Sequence, residues 1–310
     1  MGKMRKLTVQ APAKINLHLQ VNSLRSDGFH GVRSIFLALS FGDTLHFETI
    51  DPAGRLEIRM NPAIPIEKNI IFRAVLLFRE AAGFDQGLRI RVDKRIPMGA
   101  GLGGGSSDAA AALLALNTLA ASSASPGHSL DRGELAALAA ALGSDVPFFL
   151  NVNESSAAWV SGRGEKITPV AAPENVWIVL AYPGFSSETA RAFRLLDEFR
   201  LKAGASSEPG GRARSVAKKV LIGALEREPR TWPFENDFLP VFLRTNGVKT
   251  AYRKLLEKLR EEGAEFASLS GAGSACFGIF SDRKSAFRAQ KNLLKDWEFV
   301  NISLPLANES

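Results

Sequence analysis

The chain carries one cysteine, Cys276, in 310 residues, so no disulfide can close within it and its cores must hold by packing alone. Its four histidines, His18, His30, His46 and His128, are scattered with no H-x-x-x-H pair, which leaves no zinc spacing. Any metal would be a hard ion on oxygen donors. Long apolar runs are missing too: "AAAALLAL" and "ELAALAAALG" are too short and too alanine-rich to cross a bilayer. The opening "MGKMRKLTVQ" lacks the apolar centre of a signal peptide, so the expected location is the cytoplasm, with no membrane partner. No charge surplus is large enough to name a partner. The net charge of +7 suits an anionic metabolite or a nucleic acid, and equally a solvated surface, because "AYRKLLEKLREEGAE" interleaves both signs.

What is present is a globular composition, 45% hydrophobic, in a chain long enough for two domains and two cores. Helices and strands alternate along it. "AKINLHLQV" (13 to 21) alternates cleanly and reads as a half-buried strand, with Ile15, Leu17, Leu19 and Val21 on one face and Lys14, Asn16, His18 and Gln20 on the other. "LEIRM" and "GLRIRVDKRI" also read as strands. "NIIFRAVLLFREAAG" reads as a helix from Asn69 to Gly83, and "DRGELAALAAALG" as a helix with an Asp131–Glu134 capping box and Gly143 as terminator. "AAWVSGRGEKITPV" is a hairpin turning on Gly162 to Gly164, and "VWIVLAYPG" a buried strand. Residues 202 to 215, "KAGASSEPGGRARS", read as a mobile loop. The C-terminal stretch gives helix, strand "FASLS", glycine turn "GAGS", strand "ACFGIF", helix and a last strand near "WEFVNISL". A domain boundary is expected within 155 to 185, and no internal repeat is visible.

The densest signal is "PMGAGLGGGSSDAAAALLAL" (97 to 116), with five glycines between Gly99 and Gly105 directly before a helix. Glycine in regular structure costs roughly 0.5–1 kcal/mol relative to alanine, so five together need a reason. Successive N–H groups at a helix start make an anion-sized nest, and the helix dipole adds about half a positive charge. The run reads as a phosphate cradle; a flexible tight turn is the plainer alternative. G-A-G-L-G-G also satisfies the dinucleotide fingerprint, but the acidic residue about 20 positions on is missing. A Walker loop fails for want of G-K-[ST], and a protein-kinase loop for want of V-A-I-K, H-R-D and D-F-G.

Three stretches together, "APAKINLHL" (11 to 19), "PMGAGLGGGSSDAA" (97 to 110) and "SLSGAGSACFGIF" (268 to 280), resemble the ordered motifs of the GHMP small-molecule kinases. Four more, "RSDGFHGVRSIF", "LGSDVPFF", "SGRGE" and "ENDF", resemble the 4-diphosphocytidyl-2-C-methyl-D-erythritol kinase branch of that superfamily. The resemblance implies a two-domain α+β fold. Residues 1–165 would form the ATP-binding N-terminal domain, with a left-handed β-α-β phosphate loop. Residues 166–310 would form the C-terminal domain, an antiparallel sheet with helices that contributes to the substrate site, with both ligands meeting in the cleft. It implies ATP as donor, Mg2+ as its companion, a cytidine-diphosphate-linked polyol as acceptor, and no nucleic-acid or obligate protein partner.

Residue by residue, the resemblance marks Asp145 as general base and Lys14 as the active-site cation. Without it, Asp145 reads as a carboxylate that caps or solvates a turn and Lys14 as a solvated strand lysine. Asn16, on the strand face of Lys14, is a candidate for the substrate hydroxyl. His30 matches the position at the cytosine edge, and Phe29 and Phe193 the rings that sandwich the base, with Thr189 adding a polar contact. "DGFH" has Phe where many members have Tyr, which keeps stacking and loses a hydroxyl. At helical spacing Phe193 reads equally as core. Pro97, Gly99, Gly101, Leu102, Gly103, Gly104, Gly105, Ser106 and Ser107 would wrap the triphosphate, while Asn69 and Lys94 match positions near the adenine. No carboxylate is assigned to magnesium; the hydroxyl of Ser106 or Ser107 is its candidate contact. Gly271 to Ser274 matches the second glycine motif, which bare turn chemistry explains as well. Two other readings stay open: a sibling kinase acting on mevalonate, homoserine or a sugar, and an RNA-binding module.

Overall fold

Alternating apolar residues in the first fifty positions build two long strands, β1 (Lys6–Leu24) and β2 (His30–Ile50). The computed structural model describes residues 5–122, 129–202, 204 and 216–307. After β2 come β3 (Leu56–Met60), α1 (Ile70–Ala82), β4 (Gly87–Asp93), α2 (Gly104–Ala121), α3 (Arg132–Leu142) and α4 (Val146–Phe149). The second half adds β5 (Ala157–Gly162), β6 (Lys166–Val170), β7 (Trp177–Tyr182), α5 (Thr189–Lys202), α6 (Lys218–Ala224), α7 (Phe238–Phe242) and α8 (Lys249–Glu261). It closes with β8 (Phe266–Leu269), β9 (Cys276–Phe280), α9 (Arg283–Leu293) and β10 (Phe299–Ser303). These elements form two compact units, one of Met1–Ala13, Gly42–Ile96 and Gly103–Asn151, the other of Lys14–Phe41, Pro97–Leu102 and Val152–Ser310. The chain thus passes between units inside β1, inside β2 and inside the glycine run.

In the first unit β3 runs parallel to β4, Leu56 opposite Leu88, and β4 runs antiparallel to the end of β2, Thr44 opposite Asp93. Helices α1 to α4 pack on one another. The alanines of α2 serve close approach: Ala109 to Leu113, Ala115, Leu116, Leu119 and Ala120 are all buried, on every side of the helix. Caps set the helix limits as the sequence suggests. Asn69 Oδ1 accepts from the N–H groups of Ile71 and Phe72, Gly83 closes α1 at φ 61°, and Asp131 and Glu134 form a reciprocal capping box.

In the second unit the start of β2 pairs antiparallel with β5, Val32 opposite Gly162, and β5 with β6 forms the expected hairpin. A separate antiparallel sheet, in the order β10-β7-β9-β8, packs against α8 and α9. Its core includes Tyr252, Leu255, Leu259, Leu269, Phe280 and Leu293. Cys276 is wholly buried there, and burial pushes its thiol far above the ordinary range, so it serves packing. The stretch read as a mobile loop lies outside the described residues except for Lys202 and Gly204, and so does His128. The half-buried reading of residues 13 to 21 needs correction. Lys14 (4% exposed), Asn16 (2%) and His18 (5%) are as buried as their apolar neighbours. The polar face is covered: Lys14 N–H donates to Leu102 O, and Glu235 N–H reaches the His18 ring.

Candidate active site

The glycine run is held by its backbone. Gly99, Gly101 and Gly103 adopt φ of 66°, 76° and 73°, the left-handed region that glycine alone enters freely. Ser187 N–H donates to Gly99 O, Ala275 N–H to Ala100 O, Ser270 Oγ to Gly101 O and Lys14 N–H to Leu102 O, each at 2.9 Å. A Cβ on Gly101 would collide with the carbonyl oxygens of Ser270 and Gly273. The second glycine turn is therefore the support of the first, which turn chemistry alone did not reveal. Asn236, in "ENDF", braces that support by donating to Leu269 O (2.8 Å) and Gly271 O (2.9 Å) while its Oδ1 accepts from Phe238 N–H.

Along the polar face of β1 runs a chain of hydrogen bonds. Lys14 Nζ donates to Asn16 Oδ1 (2.6 Å), Asn16 Nδ2 to Ser34 Oγ (2.9 Å), and Ser34 Oγ to His18 O (2.5 Å). The Lys14 ammonium also lies 4.5 Å from the centre of the Phe36 ring. A buried ammonium needs such partners, since desolvation opposes its charge. His18 continues the row as a neutral ring. Burial and the charge of Arg33 push its pKa down to about 4, and Nδ1 accepts from Glu235 N–H, which leaves the proton on Nε2.

The residues expected at the base gather at the β1–β2 turn and α5. His30 Nδ1 lies 2.9 Å from Asn22 O and Nε2 3.1 Å from Asp197 Oδ2. Phe193 stacks on the His30 ring, centroids 5.1 Å apart and planes at 21°, and meets Phe238 edge-on at 5.0 Å. It is at once core and platform. Phe29 is 55% exposed, with the Arg163 guanidinium 4.9 Å from its ring centre, and Thr189 is exposed at the first turn of α5.

In the first unit, α2 begins at Gly104 with the Ser107 hydroxyl buried and without a hydrogen-bond partner among the described residues. Lys94 Nζ meets Asp43 Oδ2 (2.5 Å) and Asp108 Oδ2 (2.7 Å), and Asp43 Oδ1 accepts from the N–H groups of Arg95 and Ile96. Burial works against the charge on Lys94, but the two carboxylates hold its pKa above the ordinary value. Asp108 is pushed up to about 7 by burial and by the charge of Asp43, against the pull of Lys94. Asn69 points its amide nitrogen at Met60 Sδ (3.4 Å) while its oxygen caps α1. Asp145 stands at the N-terminus of α4, and its side chain makes no capping bond there. Among the described residues no group of three His, Cys, Asp or Glu is arranged to hold a metal. The structure thus brings Lys14 and Asn16 together in one unit and Lys94 with the head of α2 in the other. Asp43, Asp197 and the bracing Asn236 escaped the sequence reading as site residues.

Comparisons with known proteins give the family. Family descriptions match in two places, GHMP kinases N terminal domain at residues 69–151 and GHMP kinases C terminal at residues 235–298. The 4-diphosphocytidyl-2-C-methyl-D-erythritol kinase of Treponema pallidum (strain Nichols) is 37% identical over 297 residues, covering 95% of this chain and 97% of its own. The chain belongs to that kinase family. A crystal structure of 4-(cytidine 5'-diphospho)-2C-methyl-D-erythritol kinase superposes with a TM-score of 0.77 at 32% identity, covering 97% of this chain and all of that one. The homoserine kinase of Cytophaga hutchinsonii, at 16% identity and a TM-score of 0.65, shares the fold alone. The protein is therefore a small-molecule kinase of α+β fold. No helix among the described residues of the kinase is long and apolar enough to cross a membrane.

Two outcomes follow for the kinase. Gly101→Ala meets both a positive φ and two carbonyl oxygens, and lowers stability by about 2 kcal/mol or more in urea denaturation; a change within about 0.5 kcal/mol would contradict the stitched loop. Asp108 has a folded-state pKa above its unfolded value, so the folded state binds the extra proton between about pH 4 and pH 7, and stability falls as pH rises through that window. Asp108→Asn mimics the protonated form. Its stability relative to wild type improves between about pH 4 and pH 7 and levels off above that window, and a difference that stays flat with pH would refute the assignment.

Proposed function

We propose that this kinase transfers the γ-phosphoryl group of ATP to the 2-hydroxyl of 4-diphosphocytidyl-2-C-methyl-D-erythritol, giving the 2-phosphate and ADP. The reading rests above all on full-length identity of 37% with a relative of that name, joined to the buried Lys14–Asn16 pair. It assigns the kinase to non-mevalonate isoprenoid precursor synthesis, in the cytoplasm. Residues 1–165 supply nucleotide binding, and residues 166–310 contribute to the substrate site.

Phosphoryl transfer needs positioning and charge neutralisation more than covalent help from the protein. In the proposed mechanism Asp145 accepts the proton of the 2-hydroxyl as its oxygen attacks the γ-phosphorus and ADP leaves. Lys14 stabilises the forming alkoxide and the phosphoryl charge, with Asn16 orienting both the ammonium and the hydroxyl. In this reading the N–H groups from Gly101 to Ser107 surround the β- and γ-phosphates, and Asn69 and Lys94 are assigned to the neighbourhood of the adenine. Phe29 and Phe193 take the faces of the cytosine, and His30 its edge. Magnesium suits the oxygen donors at the head of α2, where the buried Ser107 hydroxyl has no hydrogen-bond partner among the described residues and the Ser106 hydroxyl is adjacent. When bound with ATP it neutralises phosphate charge.

ADP release is the test, with Mg-ATP and a panel of diphosphocytidyl-methylerythritol, mevalonate, homoserine and galactose. Turnover is expected on the cytidine-linked substrate alone, with kcat lowered about 10²–10⁴-fold in Asp145→Asn at unchanged thermal midpoint. Preference for another alcohol in the panel would overturn the substrate assignment, and a fully active variant the general base.

A further inference from the structure

His30 begins β2 directly after a turn closed by the Arg25 N–H to Phe29 O bond, so its position in the chain leaves the ring torsions unset. Three contacts set them. Asn22 O holds Nδ1, Phe193 covers one face, and Asp197 Oδ2 holds Nε2 at 3.1 Å. Phe193 and Asp197 are one turn apart on α5, so a single helix supplies both the platform and the edge contact. The helix is itself moored at another point on the same face, where Arg200 donates to Val21 O (2.6 Å) and to Asp237 Oδ2 (3.0 Å). Asp197 is therefore spared the task of holding the helix. The side chain of His30 is 8% exposed and that of Asp197 43%, which places the carboxylate at the rim of a nearly buried ring.

We propose that Asp197 is a positioning residue for pyrimidine recognition, acting through His30. The inference rests on the proposed function, because it concerns the base of that substrate. With both ring nitrogens engaged and one face covered, the ring offers the incoming base its remaining face and C–H edge in one fixed orientation, and binding then pays no ordering entropy for it. Loss of the carboxylate frees the ring to turn and weakens the base contact, while the nucleotide donor and the reacting hydroxyl are untouched.

The test is steady-state kinetics of Asp197→Ala and Asp197→Asn beside wild type, with calorimetric binding of cytidine diphosphate and the imidazole ¹⁵N spectrum of His30. Asp197→Ala is expected to raise the KM for the cytidine-linked substrate about tenfold, the worth of one charge-assisted hydrogen bond. Its kcat and KM for ATP stay within about twofold of wild type, and the His30 nitrogen signals move. Asp197→Asn, which still offers an oxygen to Nε2, recovers most of the affinity. An unchanged substrate KM would overturn the proposal. So would a lowered KM, since the carboxylate would then be competing with the base, and so would a joint change of kcat and both KM values. If wild type neither binds cytidine diphosphate nor turns over the cytidine-linked substrate, the proposed function fails instead, and the ¹⁵N signals still report whether Asp197 holds the ring.

Discussion

The structure depends most on the hydrogen bonding of residues 99 to 102 to the strand and turns beneath them. Four bonds of 2.9 Å, from Ser187, Ala275, Ser270 and Lys14, fix four successive carbonyls. With its carbonyls tied down, the segment cannot drift, and the left-handed angles at Gly99 and Gly101 leave no place for a side chain. A loop rich in glycine is thus made rigid by its surroundings, and pre-organised N–H groups bind an anion without paying to order themselves.

The same logic governs the buried charges. Lys14 and Lys94 are both out of water, and each is stabilised by a different arrangement. Lys14 has the Asn16 amide oxygen and the Phe36 ring among its partners. Lys94 sits between two carboxylates, and the group that bears the strain is Asp108, pushed up to about 7. An ammonium between two carboxylates is suited to tying β4 and α2 to the aspartate of β2.

Much of this was legible in the sequence where the determinant is local. Asn69, Gly83 and the Asp131–Glu134 box mark helix ends because caps act over three or four residues. The positive φ angles in the glycine run follow from residue type, and the β5–β6 hairpin from its turn. Illegible were the pairs that only topology creates: Asp43 with Lys94, 51 residues apart, and His30 with Asp197, 167 apart. No period in the sequence joins them. The second face of β1 read as solvated because alternation distinguishes polar from apolar, and a polar face buried under hydrogen-bonding backbone leaves the same pattern. The interleaving of the two units, with β1 and β2 each divided between them, likewise has no local mark.

The central claim, transfer of phosphate from ATP to an alcohol of the cytidine-linked polyol, is tested most directly by following the label of γ-³²P ATP into the product and, in a parallel unlabelled reaction, locating the new phosphate by ³¹P–¹H correlation. The account predicts that the label enters the methylerythritol moiety as a phosphomonoester at the 2-oxygen, one equivalent per ADP formed. Label released as inorganic phosphate, or carried on another oxygen of the polyol, would contradict it.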